Sequence, residues 1–401
     1  MKIVRIVPYL DFGGVEKRLE LTAKGFLEHP QHELIILVLS GRGRMAEVVQ
    51  KMGFKIILLE QNPKIPNFKL MFQIFKVLKE FKPDVVHCSG SEANFHGILA
   101  AWLSRVPIRI GEEIGFPDHD WKWGIVFRIT YAFSKGVIGI SEAVKSRIVA
   151  LGEVSSQKVE VIYNPVRLGY ANQDQESFPT IAKCKRGSEN RLRQNECSYK
   201  EKIIETEEGK VSLSVKKNGD KKPFVFVTTC RLVAVKNLKI LIEVFDKLVK
   251  NNPTKEFELW LVGEGPEDEK LKTVTNELGI GSIVIFFGFQ ENVFDFLNQA
   301  DSFVLPSFSE GFSISLVEAM MVGLPCIATQ VGGPSEIIRP NTGFLIDPNN
   351  PMDILRKMQK VIGMSEEDRN EMGYLAKEDV LLRFSVEKYV NELLFYYRTF
   401  Q

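Results

Sequence analysis

Two glutamates with seven residues between them, Glu310 and Glu318, are the side chains best placed to do chemistry. They lie in the run SFSEGFSISLVEAM, which follows the strand-like segment DSFVLP and continues into a helical pattern. We expect Gly311 to Ser313 to offer free backbone N–H groups, at the positive end of that helix, to a phosphate or diphosphate. The carboxylate before the helix could then contact a sugar. The second carboxylate, roughly two turns inside the helix, could accept hydrogen bonds from ribose hydroxyls.

A simpler alternative is that this run only begins a helix, with Ser309 or Ser313 as its cap and Glu310 complementing its dipole. Two acids at this spacing, in the setting SEGF followed by EAM, resemble the E-x7-E signature of the large family-4 type of retaining glycosyltransferases. The resemblance implies that Glu310 orients the donor sugar and that Glu318 holds the ribose. It assigns the rest of the donor site to Gly311, Phe312, Ser313 and Ile314.

The run CRLVAVKN follows the first strand-like segment of the second half of the chain and resembles the G-R-L-x-x-x-K-G loop of the same family. In that family an arginine and a lysine clamp the donor diphosphate, so the resemblance gives this role to Arg231 and Lys236. A fixed guanidinium and an ammonium can stabilise a departing phosphate without a metal. Cys230 and Asn237 replace the glycines of the family's loop, and a solvated basic loop is the alternative.

Glycines after three further strands also match the family. The turn VGEGP with Gly263 resembles its G-x-G-P turn, and FGFQ with Gly288 resembles the segment that meets the nucleotide base. PYLDFGGVE, with Gly13 and Gly14, resembles the G-G-x-E loop that faces the donor phosphate or the acceptor. It is not G-x-G-x-x-G, which disfavours a nicotinamide site. GGPSE, which ends at Glu336, matches a closing pattern of mainly structural role. Each turn could also be ordinary, because glycine turns are common after strands in open α/β sheets.

Two α/β domains are needed to position these residues. The strand-like runs KIVRIV, ELIILVL, FKIILLE, DVVHC, PIRIGEE, GVIGI and VEVIY alternate with helical stretches, and PFVFVTT, FELWLVG, SIVIFFG, DSFVLP, PCIAT and GFLID form a second series. This alternation predicts parallel sheets. With the resemblance, it predicts an α/β GT-B architecture of two Rossmann-like domains that face each other across a donor-binding cleft. We expect an acceptor-side domain at residues 1–168, a nucleotide-sugar-binding domain at 223–383, and a helix at 384–401 that packs back on the first domain.

Residues 169–222 interrupt the alternation. They hold 12 Lys/Arg and 9 Asp/Glu but few large apolar side chains, so they can bury little surface to offset the entropy lost on ordering. We expect a charged insertion or linker that is partly disordered or forms a surface appendage. Within it, IIETEEGKVSLSV could form a hairpin that turns at Glu208 and Gly209.

Composition limits the possible partners and location. The 401 residues, 44% hydrophobic and 26% charged, are typical of a soluble two-domain protein. A net charge of +1 gives no field for nucleic acid, so no nucleic-acid partner is expected. Five scattered cysteines without C-x-x-C argue against a disulfide framework or a zinc site and fit the cytoplasm. No run approaches the roughly 20 apolar residues of a membrane span, so membrane contact would be peripheral, at the inner face of the cytoplasmic membrane.

One departure from the family concerns a histidine. The family often carries one after the fifth strand of its first domain, where this chain reads IGEEIG. Glu113 or His119 could take its place, and His87 could either line the cleft or be a core histidine. The stretch WKWGIVFR, from Trp121, could help the protein reach a lipid-linked acceptor at a membrane interface. We favour the alternative of a core helix with its tryptophans packed inside.

The resemblance implies a metal-independent hexosyltransferase with front-side attack and retention. It would take a hexose from a UDP- or GDP-sugar to a saccharide or lipid-linked acceptor in bacterial surface polysaccharide synthesis, without a further cofactor. The paired catalytic carboxylates of glycosidases are not needed. A nucleotide-sugar epimerase on the same fold is one alternative, but it would need an acid and base pair that the IGEEIG loop lacks. A non-catalytic carbohydrate-binding protein is another, disfavoured because Arg231, Lys236, Glu310 and Glu318 are all present.

Overall fold

The computed structural model describes residues 1–10, 14–41, 43–166, 202–206, 209–213 and 222–401. The N-terminal part contains β1 (Lys2–Val7), α1 (Gly14–Leu27), β2 (Glu33–Val38), α2 (Arg44–Lys51), β3 (Lys55–Leu58), α3 (Phe68–Phe81), β4 (Val85–Ser89), α4 (Ser91–Leu103), β5 (Ile108–Glu113), α5 (Trp121–Ala132), β6 (Gly136–Gly139), α6 (Glu142–Ala150) and β7 (Val159–Val161). A hairpin of β8 (Lys202–Thr206) and β9 (Gly209–Leu213) follows.

The C-terminal part contains β10 (Phe224–Thr229), α7 (Leu238–Lys250), β11 (Phe257–Val262), α8 (Asp268–Glu277), β12 (Val284–Phe286), α9 (Phe294–Leu297), β13 (Ser302–Leu305), α10 (Ile314–Met321), β14 (Cys326–Thr329), α11 (Pro334–Ile337), β15 (Phe344–Ile346), α12 (Pro351–Gly363), α13 (Glu366–Arg383) and α14 (Val386–Arg398). Every strand-like run of the two predicted series contains one of these strands.

Two parallel sheets confirm the predicted fold class. The first has the order β3-β2-β1-β4-β5-β6-β7 and the second β12-β11-β10-β13-β14-β15. Their central strands are buried on both faces, as expected for β-branched runs between helical layers. In each sheet the first strands are added outward on one side, and the later strands are added on the other side. The change of side, the reversal point of the sheet, occurs between β1 and β4 in the first sheet and between β10 and β13 in the second. Ligands bind at such a point, outside the carboxyl ends of the strands, and both candidate loops of the second domain begin there.

The final helix α14 packs on α1 and on the first sheet. Tyr397 is buried there, and its hydroxyl lies 2.6 Å from Nδ1 of His87. Beneath it, the carboxylate of Glu112 is paired with the guanidinium groups of Arg5 and Arg18. Burial alone would raise the pKa of Glu112, but the two arginines hold it well below its usual range. The helix thus covers a buried charge cluster, in which the loss of one member would leave another unpaired.

Two glycines allow the long helix α13 to approach the end of α10. Gly323 follows α10, and a methyl group at Gly373 of α13 would overlap the carbonyl oxygen of Gly323. Because that neighbour is backbone, it cannot turn aside as a side chain could. The spacing between α13 and α10, which carries Glu318, therefore depends on the missing side chain at Gly373.

Three predictions need correction or completion. A hairpin is present as predicted, with Thr206 paired to Gly209, so Gly209 closes the turn and also begins the second strand. The rest of the expected insertion lies outside the described residues. The tryptophans of α5 are not packed inside, because Trp121 is 73% exposed and Trp123 38% exposed. Within the described part of the chain, no helix combines the length and the apolar character needed to cross a membrane.

The substitution Gly373→Ala should lower the free energy of unfolding by about 1–3 kcal/mol, because an added methyl group cannot be accommodated against backbone. Gly363→Ala is the matched control, since Gly363 is exposed near the end of α12 with open space around its Cα. That control should be neutral or slightly stabilising. Urea unfolding curves of the two variants measure the difference, and equal midpoints would contradict the proposed close packing.

Candidate functional site

The loops after β10 and β13 meet at the point where the second sheet reverses. Nζ of Lys236 lies 2.6 Å from Oε1 of Glu310, and the Ser307 hydroxyl donates to the same oxygen at 2.7 Å. Arg231, at the carboxyl end of β10, is exposed and forms no ion pair with a described residue. The structure therefore brings the predicted lysine and glutamate into contact and leaves the predicted arginine open to a ligand.

Backbone contacts fix these loops to each other. The N–H of Phe308 donates to the carbonyl of Val235 at 2.8 Å. Asn237 is buried in the left-handed conformation, and its amide donates to the carbonyls of Pro306 and Pro348. Asparagine tolerates this conformation, which explains how it can replace the second glycine of the family's loop. Lys236 is thus presented from a rigid turn.

Gly263 joins the loops that follow β10, β11 and β12. Its φ of +141° is rarely adopted by other residues, and a methyl group there would overlap the carbonyl oxygen of Cys230. Its N–H donates to the carbonyl of Gly288 at 2.8 Å. The two predicted glycines therefore lie together at the ligand-binding edge of the sheet, beside the loop of Arg231.

The helix α10 begins with Ser313 as its cap, whose hydroxyl accepts a hydrogen bond from the N–H of Leu316. Ile314 is the first helical residue and half-buried. The side chain of Phe312 is buried against Tyr163 and Phe384. Only its backbone N–H is therefore available to a phosphate, together with those of neighbouring residues at the helix start.

Glu318 is the fifth residue of α10, so it lies in the second turn, closer to the helix start than predicted. Its side chain is buried and forms an ion pair with Nζ of Lys17, which comes from α1 of the first domain. Lys17 also lies 5.6 Å from the centre of the Phe294 ring. Glu318 thus faces the cleft, and one of its partners there belongs to the opposite domain.

A second contact between the domains lies beside the donor loop. Glu336 accepts hydrogen bonds from the N–H groups of Glu142 and Ala143, both at 2.8 Å, at the start of α6. The cap of that helix, Ser141, donates through its hydroxyl to the carbonyl of Gly311 at 2.6 Å. A carboxylate at a helix start is favoured by the helix dipole and by the unpaired N–H groups. The second domain therefore caps a helix of the first.

The predicted glycine loop of the first domain lies only partly within the described residues. Gly13 lies outside the described residues, and Gly14 is the first residue of α1. Its place at the carboxyl end of β1 is the reversal point of the first sheet. The role predicted for the two glycines stays a prediction.

Neither candidate replacement for the cleft histidine has a free side chain. Glu113 is buried and accepts hydrogen bonds from Tyr131 and, at 3.0 Å, from Asn94. Burial raises its pKa to about 7 despite these bonds. His119 stacks on Phe127 and lies 2.6 Å from Glu153. Burial opposes the charged form of His119, but the Glu153 carboxylate outweighs it and raises its pKa.

His87 is a core histidine and does not line the cleft, which was the other alternative. It is fully buried beside Tyr397 and Glu112, and burial lowers its pKa to about 4. The segment that reaches the donor loop is instead the backbone after β5, since a methyl group at Gly311 would lie 3.2 Å from the carbonyl carbon of Gly115.

Sequence reasoning missed two contributors from the first domain, Lys17 and Ser141. Lys17 directly follows the predicted G-G-x-E loop, so its position next to this motif indicated that it could face the cleft. Ser141 precedes a helix as a typical cap, which signalled only a local role. A contact between two domains leaves no local pattern in the sequence. The partners of Lys17 and Ser141 in the second domain could therefore not be predicted.

The titration of Glu113 predicts a pH-dependent stability. Burial raises the pKa of Glu113 from its ordinary value of 4.5 to about 7, so between these pH values the folded state holds a proton that the unfolded state releases. The stability that protonated Glu113 contributes to the folded state is fully present below pH 4.5 and is lost as pH rises through about 7. Glu113→Gln should therefore gain stability relative to the natural protein between pH 5 and pH 8. Melting temperatures of both proteins at the two pH values test this, and a constant difference would contradict it.

Comparison with known families gives a consistent result across the chain. Residues 12–170 match the family model of Glycosyltransferase Family 4, and residues 212–379 match Glycosyl transferases group 1. N-acetyl-alpha-D-glucosaminyl L-malate synthase of Bacillus anthracis is 35% identical over 39% of this chain, and the match spans 41% of that enzyme. UDP-Gal:alpha-D-GlcNAc-diphosphoundecaprenol alpha-1,3-galactosyltransferase of Escherichia coli is 25% identical, over 82% of this chain and 79% of its own length.

Solved structures agree on the fold. The crystal structure of Anabaena Alr3699/HepE in complex with UDP superposes with a TM-score of 0.75 at 17% identity, and the match covers 100% of both chains. The family models cover both Rossmann-like domains, including the loops that hold Arg231, Lys236, Glu310 and Glu318. The chain therefore belongs to the family-4 type of glycosyltransferases with the GT-B fold.

Proposed function

We propose that this enzyme transfers a hexose from a UDP- or GDP-sugar to a saccharide or lipid-linked acceptor, with retention and without a metal ion. The observation that carries the proposal is the contact between Lys236 and Glu310 at the reversal point of the second sheet, with Arg231 exposed on the loop of Lys236. The side chains of Arg231 and Lys236 and the free N–H groups at the start of α10 can bind the negatively charged oxygens of a diphosphate. The neighbouring carboxylates suit the hydroxyl groups of a sugar and a ribose.

Each residue has a distinct part in this proposal. Lys236 has three N–H donors, so it can keep Glu310 and still reach the phosphate. Arg231 approaches from the open side as a fork that binds two phosphate oxygens. Together they stabilise the negative charge that develops on the leaving diphosphate. Glu310 orients the sugar, and the acceptor oxygen attacks from the face that the diphosphate leaves.

In this proposal Glu318 binds the ribose of the donor. One of its oxygens is engaged by Lys17, and a carboxylate has further lone pairs for the two ribose hydroxyls. The buried position of Glu318 makes its hydrogen bonds stronger than they would be in water. This geometry supports a nucleotide donor independently of the identity of the base.

For the acceptor, we propose a lipid-linked saccharide at the inner face of the cytoplasmic membrane, in the assembly of a surface polysaccharide. The support is the Escherichia coli relative, whose name specifies α-D-GlcNAc-diphosphoundecaprenol. The epimerase and binding-protein alternatives are not favoured. The two relatives are named as a synthase and a transferase, and Arg231, Lys236 and Glu310 lie on the loops after β10 and β13, with Glu318 in the helix that follows the second loop.

Donor binding is tested by thermal stabilisation with UDP-, GDP- and ADP-sugars, with and without EDTA. One donor should raise the melting temperature, by an amount equivalent to about 2.7 kcal/mol at 100 times its Kd. EDTA should not change this effect. Arg231→Ala and Glu318→Ala should abolish most of it, because each removes a direct contact with the donor.

The control is Lys239→Ala, which removes an exposed cation three residues beyond Lys236 and should leave donor binding unchanged. Stabilisation that requires a divalent metal would refute the metal-independent site. No stabilisation by any nucleotide sugar would refute the proposed donor class.

The contact between the domains is tested with Glu336→Ala. Loss of the two hydrogen bonds to α6 should favour the open cleft, with a larger radius of gyration in small-angle X-ray scattering. Donor affinity should change less than about threefold, since the carboxylate faces the other domain. Ser335→Ala is the control, because Ser335 is exposed and bonds only within its own turn. An unchanged radius in Glu336→Ala would show that this contact does not hold the cleft closed.

A further inference from the structure

The helices α3, α4 and α5 lie side by side on one face of the first sheet. Their inner sides fill the core, as Leu70, Ile74 and Phe127 show. Their outer sides carry an exposed set of large apolar residues, which we call the aromatic face: Phe68, Phe72, Trp102, Leu103, Trp121, Trp123, Ile125 and Ile129. Trp121 is 73% exposed and Phe68 70% exposed, so the packing of the domain itself does not use them.

The spacing of these residues is regular. Trp121, Ile125 and Ile129 follow each other at intervals of four along α5, so they form one line on the outside of the helix. The inner line of the same helix, which includes Phe127 and Tyr131, is buried. A helix that is apolar on both its inner and its outer side is expected between two apolar environments. The core of the first domain supplies the apolar environment on the inner side of α5.

The three helices of the aromatic face carry more basic than acidic side chains. α3 carries three lysines and one glutamate, α4 carries Glu92 and no lysine or arginine, and α5 carries Lys122 and Arg128 and no acidic residue, while Asp118 and Asp120 precede it. Lys122 lies 5.7 Å from the centre of the Trp121 ring, and Lys76 lies 4.7 Å from that of Phe72. Aromatic rings with neighbouring cations are typical of surfaces that lie in the headgroup region of an anionic bilayer. A second copy of the chain would instead bring like charges together.

The aromatic face also lies close to the cleft. Its first residue on α5, Trp121, follows the loop in which Gly115 contacts Gly311 at the donor site. Phe116, in the same loop, is exposed as well. A surface that holds α5 would therefore lie near the mouth of the cleft, on the acceptor side.

We propose that the aromatic face docks on the surface of an anionic phospholipid bilayer, with the rings in the headgroup region and Lys122, Arg128 and the α3 lysines on lipid phosphates. This inference rests on the proposed lipid-linked acceptor and names the membrane as the partner that supplies it. Docking holds the acceptor domain at the bilayer, while the donor domain approaches from the aqueous side.

The position of the tryptophans allows a direct test. The chain has four, of which Trp102, Trp121 and Trp123 are exposed on the aromatic face, while Trp260 is 5% exposed in the second domain. Vesicles that contain phosphatidylglycerol and brominated phosphatidylcholine should quench the protein's fluorescence. Vesicles of brominated phosphatidylcholine alone should quench it less, and high salt should weaken binding to the anionic vesicles.

Two variants locate the contact. The double variant Ile125→Ser with Ile129→Ser should weaken vesicle binding at least about tenfold, because two apolar side chains no longer leave water. Lys122→Glu with Arg128→Glu should weaken it mainly at low salt. The matched control is Phe395→Ser on α14, which is 71% exposed but on a helix packed against α1. This control should bind like the natural protein.

The outcomes separate this inference from the proposed function. Absence of quenching, or equal binding by all variants, overturns the docking surface even if a nucleotide sugar still stabilises the protein. A dimer in sedimentation that the isoleucine variant dissociates, without vesicle binding by the natural protein, assigns the face to a second copy and also overturns it. Vesicle binding without donor stabilisation would refute the donor site and leave the docking surface standing.

Discussion

The ion pair between Lys236 and Glu310 is the interaction on which the site depends. Its two residues are 74 positions apart in the chain, yet their side chains meet at 2.6 Å. They meet because β10 and β13 are neighbours in the second sheet, so the loops after both strands leave from the same edge. The carboxylate holds the ammonium in place before a ligand arrives, which lowers the ordering cost of binding a diphosphate.

A second constraint is that the site is shared by two domains. The donor loop is held from the other side by Ser141 and by the backbone near Gly115. Glu336 caps α6, and Lys17 reaches Glu318 across the cleft. Beside these polar contacts, Ile140, Val144 and Val166 of the first domain pack in one apolar cluster with Phe312 and Leu316 of the second. The two domains are therefore joined both by apolar packing and by hydrogen bonds around the loop that begins α10.

The fold could be predicted almost entirely from the sequence, because buried parallel strands are apolar runs separated by amphipathic helices. The positions of the candidate residues could be predicted where they depend on a single loop, as with Gly263 and Lys236. Predictions failed where tertiary contacts decide the environment. An apolar stretch such as α5 has the same sequence pattern whether its outer side meets protein, water or lipid, so the exposure of Trp121 could not be read from it.

The proposed site requires that Lys236 and Arg231 recognise a diphosphate at the edge of the second sheet. Calorimetric titration of UDP and UMP, or of GDP and GMP, into the natural protein and into Lys236→Met measures this recognition. We expect the diphosphate to bind at least about tenfold more tightly than the monophosphate, and the variant to lose most of this difference. Equal binding of the two nucleotides by the natural protein, or an undiminished preference in the variant, would contradict it.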